Sequence, residues 1–150
     1  MTNFTCLPFE KLSAAQLYEI LALRSAVFIV EQNCPYQDCD GKDLDSFHLM
    51  GRDEECNLVC YTRLLPLGLA YDGYASIGRV VCSPMARRTG LGILLMNKSI
   101  EMCQELFGNS PIKIGAQSYL LNFYEKFGFR STGEAYVEDG IDHTKMIRKI

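Results

Sequence analysis

The stretch of this chain best suited to chemistry is Arg87-Arg88-Thr89-Gly90-Leu91-Gly92. Its two glycines stand where an extended segment ending at Ser83-Pro84 gives way to a helical pattern. Backbone N–H groups without intrahelical partners can converge there, and the helix dipole adds partial positive charge. Arg87 and Arg88 contribute fixed charge suited to bidentate oxygens, so the segment reads as a cradle for a diphosphate. The spacing is neither the three-glycine dinucleotide turn nor a Walker loop. As an isolated string it equally fits a helix that starts at a glycine-permissive turn. A second feature is a stripe: Leu17, Leu21, Arg24, Phe28 and Glu31 recur at 4-3-4-3 spacing and share one helical face, which puts two charges on an apolar stripe.

The elements that must position these groups alternate between strand and helix. Residues 3–7 read as a strand. Leu12-Ser13-Ala14-Ala15-Gln16-Leu17 is a helix start with Ser13 as cap, Gln16 reaching back and Leu12 stapled on Leu17, and the helix runs to about Val30. Asn33-Cys34-Pro35 stops it, and the Asp-rich stretch to Asp45 is a loop. Strands follow at 46–52, 57–65 and 74–83, then the 91–107 helix closed by Gly108. A strand at 111–117, a short helix at 118–127 closed by Gly128, and strands at 129–138 and 142–149 about the Asp139-Gly140 turn complete the order. This is a mixed α/β chain whose sheet is antiparallel first and gains a parallel pair around the 91–107 helix.

Composition bounds the class. The 150 residues, 48% hydrophobic and 22% charged with a net charge of −3, describe a single domain, and the acidic balance disfavours nucleic acid and membrane surfaces as general partners. No apolar run reaches the ~20 residues of a membrane span and no secretory signal is visible, so the expected compartment is the cytoplasm. Seven cysteines read as reduced thiols serving as small core hydrophobes. With two histidines and no paired Cys/His spacing, no metal site is expected.

Set in this order of elements, the chain resembles the GNAT superfamily of acetyl-CoA-dependent N-acyltransferases. Arg87-Arg88-Thr89-Gly90-Leu91-Gly92 matches that family's (Arg/Gln)-x-x-Gly-x-(Gly/Ala) loop, preceded by the strand Arg79-Val80-Val81-Cys82-Ser83-Pro84, and Phe123-Tyr124-Glu125-Lys126-Phe127-Gly128-Phe129 matches a second signature at the proper distance. The likeness narrows to the ElaA-like branch through Glu31-Gln32-Asn33-Cys34-Pro35-Tyr36-Gln37-Asp38, Ile77-Gly78-Arg79-Val80, Gly115-Ala116-Gln117 and Glu138-Asp139-Gly140-Ile141.

The resemblance implies a mostly antiparallel seven-stranded sheet flanked by helices and splayed between the fourth and fifth strands. Acetyl-CoA would lie in the gap. Main-chain groups of Val80, Val81 and Cys82 would bond the pantetheine amides and the acetyl carbonyl, and N–H groups from Arg88 to Ile93, Thr89, Gly90, Leu91 and Gly92 among them, would hold the pyrophosphate beside Arg87. Tyr124 matches the general acid for the departing thiolate; a phenol is protonated at neutral pH. Gln117 stands where many relatives place a coenzyme-contacting Asn, with Asn122 as the alternative. Arg24, Phe28 and Glu31 would line the pocket for a small-molecule or peptide amine. The base that deprotonates this amine is open: no carboxylate lies on 112–116, leaving Glu31, His48 or an acid of the 38–45 loop acting through water. Rival expectations are an acyl-homoserine-lactone-synthase-like enzyme, from Arg24-x-x-x-Phe28 and Arg63-Leu64-Leu65-Pro66, and a non-catalytic acyl-CoA-binding regulator. A homodimer is compatible with the sequence.

Overall fold

The computed structural model describes all residues, 1–150. The chain runs β1 (Asn3–Pro8), α1 (Ala14–Arg24), β2 (Phe47–Arg52), β3 (Leu58–Leu65), β4 (Ser76–Cys82), α2 (Leu91–Phe107), β5 (Ile112–Gln117), α3 (Leu121–Glu125), β6 (Arg130–Glu138) and β7 (Ile141–Arg148). Local chemistry sets the ends as the sequence implies. Ser13 Oγ accepts from the Gln16 N–H at 3.1 Å while Gln16 Oε1 accepts from the Ser13 N–H at 2.9 Å, which satisfies two donors at the start of α1. Gly108, at φ 74°, ends α2 in a conformation that a side chain would oppose.

The first four strands form one antiparallel sheet in the order β1-β2-β3-β4, and the last three form another in the order β5-β7-β6. Only the Ala75–Ile112 parallel bridge joins them, held by Ala75 N–H to Pro111 O at 3.1 Å and Lys113 N–H to Ala75 O at 2.9 Å. Beyond this hinge β4 and β5 diverge. The sheet packs on both faces. Leu49, Leu64, Ile77, Leu95, Met96, Ile112, Phe129 and Met146 build the larger core against α2, while Ile20, Val27, Met50, Tyr61 and Val81 build a smaller one under α1.

The first helix differs from the expected continuous α-helix. After Arg24 it widens into a π-helical segment, Ser25–Glu31, with five-residue bonds such as Gln32 N–H to Val27 O at 3.1 Å. The wider turn rotates successive side chains by less than an α-helix does, so the stripe read at strict α spacing does not persist. The buried face is Ile20, Arg24 and Val27. Arg24 turns inward, whereas Glu31 emerges at the surface.

Candidate active site

The divergence of β4 from β5 opens a cleft of about 1110 Å³. One wall is β4, which carries a bulge: Tyr61 pairs Val81 and Arg63 pairs Gly78, so Thr62 alone opposes Arg79 and Val80. Arg79 takes the left-handed conformation at φ 51° to make this possible. A bulge withdraws backbone groups from the ladder, and here they lie on the cleft side with Val80, Val81 and Cys82. The adjoining loop turns twice through left-handed geometry, at Arg88 (φ 63°) and Gly90 (φ 81°), before α2 begins at Leu91. The first N–H groups of α2, from Leu91, Gly92 and Ile93, have no intrahelical acceptor, and Gly92 lines the cleft with Arg87 and Arg88, so this end has the geometry of a nest that can accept an anion. Thr89 stiffens the loop through its hydroxyl, which donates to Ala86 O at 2.7 Å. Leu91 serves a second purpose, since its side chain is buried in the core.

Tyr124 lines the cleft from α3 and is nearly fully buried, with Phe123 and Phe129 edge-on at 5.2 and 6.1 Å. Burial, aided by Tyr119, pushes its phenol up to about 12, so it presents a proton at any physiological pH. Gln117 also lines the cleft, and its amide reaches Gln32 Oε1 at 3.5 Å. Asn122 is exposed on α3 and does not line the cleft, which removes it as the alternative to Gln117.

Four further expectations need correction. Arg24 does not line the acceptor pocket: it is fully buried, with Nε 2.8 Å from Asp38 and Nη1 2.7 Å from Asp43. His48 is equally enclosed. Its Nδ1 accepts from the Tyr61 hydroxyl at 2.7 Å and its Nε2 donates to Asp43 O at 2.9 Å. Burial lowers its pKa, and with both nitrogens spent it has no lone pair for a substrate. The 38–45 loop is no open field of negative charge either. Asp38, Asp40 and Asp43 pair with Arg24, Arg63 and Arg79, three carboxylates against three guanidinium groups. Glu31 reaches the cleft, but Arg87 donates to both its oxygens at 2.6 and 2.7 Å. That hydrogen bonding holds its carboxyl below the usual range, which is the wrong direction for a base. Phe28 stands in the cleft wall beside Glu31.

The far end of the cleft has no counterpart among the sequence motifs. Tyr71, Tyr136 and His143 line it, and Tyr136 stacks on His143 with ring centroids 5.3 Å apart. Gly115 makes room for this wall: a Cβ built there would fall on the Tyr136 hydroxyl and lie 3.3 Å from that of Tyr71. Gly115→Ala is expected to cost about 1–3 kcal/mol by overpacking, read as a lowered Tm. The signal that could have found His143 is the alternation of the last strand, where Thr144 and Met146 are buried and Ile141, His143 and Lys145 take the other face.

Residues 35–150 match the model of an acetyltransferase (GNAT) domain. The chain is 43% identical to the protein ElaA of Escherichia coli over 152 aligned residues, covering 100% of this chain and 98% of ElaA. Among solved structures it is similar to an acyl-CoA N-acyltransferase of Pseudomonas aeruginosa, with a TM-score of 0.92 and 40% identity over 99% of both chains. The crystal structure of E. coli ElaA superposes with a TM-score of 0.90, covering 99% of this chain and 100% of that one. A splayed sheet, a bulged fourth strand, a glycine nest and this agreement over the full length place the chain in the GNAT acetyltransferase family, in its ElaA-like branch.

Proposed function

We propose that this protein transfers the acetyl group of acetyl-CoA to a primary amine of a small molecule or peptide by direct attack in a ternary complex. The observation that carries the reading is the cleft itself, with an anion nest at one end, unpaired β4 backbone along one wall and the buried phenol of Tyr124 in the other. The nest suits the pyrophosphate, with Arg87 keeping two of its five donors on Glu31 and offering the others to the phosphate oxygens. Main-chain groups of Val80, Val81 and Cys82 suit the pantetheine amides and the acetyl carbonyl, where a backbone N–H also steadies the oxyanion as the amine adds. Tyr124 gives its proton to the departing sulfur. Gln117 and Phe28 flank the reacting centre. Arg24 and Arg63, on which the likeness to lactone synthases rested, are already paired with aspartates.

Titration calorimetry with CoA checks the cradle: one site per chain is expected, and Arg87→Ala should weaken it by about 10-fold or more, the loss of one or two charge-assisted hydrogen bonds. Absence of binding at millimolar CoA would overturn the assignment of the nest. A panel of primary amines incubated with acetyl-CoA, scored by release of free thiol, then tests transfer. Turnover with simple amines supports it, whereas lactone formation from S-adenosylmethionine or coenzyme binding without turnover points to one of the rival activities.

A further inference from the structure

Resting on the acetyl-transfer reading, we infer that His143 is the general base that takes the proton from the attacking amine. Of the groups expected for this task, Glu31 is held by Arg87, His48 by Tyr61 and Asp43, and Asp38, Asp40 and Asp43 by arginines, while Asp45 does not line the cleft. His143 is differently placed. It sits on β7, the central strand of its sheet, opposite Gln117 of β5 and Tyr136 of β6, so pairing on both sides fixes its backbone. Its ring is half-buried, lines the same cleft as Tyr124 and is stacked on Tyr136 at an interplanar angle of 24°.

The tautomer follows from one contact. Nδ1 lies 2.8 Å from the carbonyl oxygen of Ile141. A carbonyl can only accept, so Nδ1 carries the proton, and in the neutral ring Nε2 holds the lone pair. The titratable and charged groups that share this part of the cleft are Tyr136 and Glu138 from β6, Asp139 at the turn, Tyr71 before β4 and Cys34 after the first helix, with Lys145 on the same face of β7 over Tyr71 and Tyr136; Glu31, Arg87, Tyr119 and Tyr124 line the same cleft. In the step assigned to it, Nε2 takes the proton from the substrate ammonium. The freed amine nitrogen then bonds to the acetyl carbonyl carbon and the carbon–sulfur bond breaks with its electron pair on sulfur. Sulfur takes the Tyr124 proton, and the proton lost by the new amide nitrogen and that held on Nε2 pass to solvent and back to Tyr124.

His143→Asn keeps a donor toward the Ile141 carbonyl and removes the base. With an amine that the wild type acetylates, kcat/KM is expected to fall roughly 10²-fold, CoA affinity to persist, and the rising limb of the wild-type pH–rate profile to disappear. A variant that keeps both rate and limb overturns the role of His143 and leaves acetyl transfer standing. A wild type that binds CoA and releases no thiol with any amine overturns the transfer reading, and this role with it. Nitrogen-15 NMR of the wild-type imidazole needs no variant: the Nδ1–H tautomer supports the assignment, and the Nε2–H tautomer refutes it.

Discussion

Tyr124→Phe is expected to lower kcat by roughly 10²-fold, within the range for loss of one proton donor, while leaving CoA affinity and Tm nearly unchanged. The substitution removes a single hydroxyl and keeps the ring that packs against Phe123 and Phe129. A thiolate leaving beside the buried Tyr124 without that hydroxyl loses the donor placed to protonate it. The phenol pushed up to about 12 is a weak acid, but it is always protonated and adds no charge to the cleft before reaction. Stopped assays of thiol release together with calorimetry separate the two effects. Unchanged turnover would exclude Tyr124 from the chemistry, and a parallel fall in CoA affinity would make it a coenzyme contact.

The second large effect is on stability. Arg24→Met should cost about 3–5 kcal/mol, the usual consequence of removing one partner of a buried ion pair, and lower Tm by about 10 °C or more. Arg24 is completely buried and its guanidinium bonds both Asp38 and Asp43, which also receives Arg63. Methionine fills much of the volume but leaves Asp43 undercompensated. The pH dependence identifies the cause. Burial alone would raise Asp43, yet hydrogen bonds and charge from Arg24 and Arg63 outweigh it and hold the carboxyl below its ordinary value; for Asp40, burial is outweighed in the same way by Arg63. A carboxyl lowered in the folded state stabilises above its unfolded pKa of about 3.9, and that contribution is lost as pH falls through the lower folded value. In the Met variant the buried carboxylate becomes a penalty that protonation relieves. The gap in stability between wild type and variant should therefore narrow as pH falls towards 4 and below, which denaturant unfolding at several pH values measures. By contrast the exposed Glu31–Arg87 pair should contribute less than about 1 kcal/mol.

Residues whose meaning is local are legible in the sequence. Ser13 and Gln16 form their capping box, Gly108 closes α2, and Gly90 supplies the left-handed turn at the nest. The succession of strands and helices along the chain follows from periodicity and turn residues, and the family likeness carries the splay between β4 and β5. Misreadings arise where a side chain's partner is distant in sequence. Arg24 and Asp43 are 19 residues apart, and Arg79 and Asp38 are 41 apart; no spacing rule pairs them. The π-helical widening after Arg24 is a small change in backbone bonding, but it takes Phe28 and Glu31 out of the phase that strict α spacing would have given them relative to the buried Arg24.

The sequence by itself determined the elements, their caps, the glycine turn that makes an anion nest and the phenol of the second signature, because each depends on neighbours within a turn of helix or a hairpin. Only the tertiary structure decided which charged groups are free. Net charge and motif spacing count carboxylates without saying which are neutralised, and that depends on ion pairs across 14 to 56 residues of chain. Folding pairs three aspartates with three arginines, encloses His48, holds Glu31 on Arg87, and leaves His143 lining a cleft that exists only because two strands part beyond a single bridge.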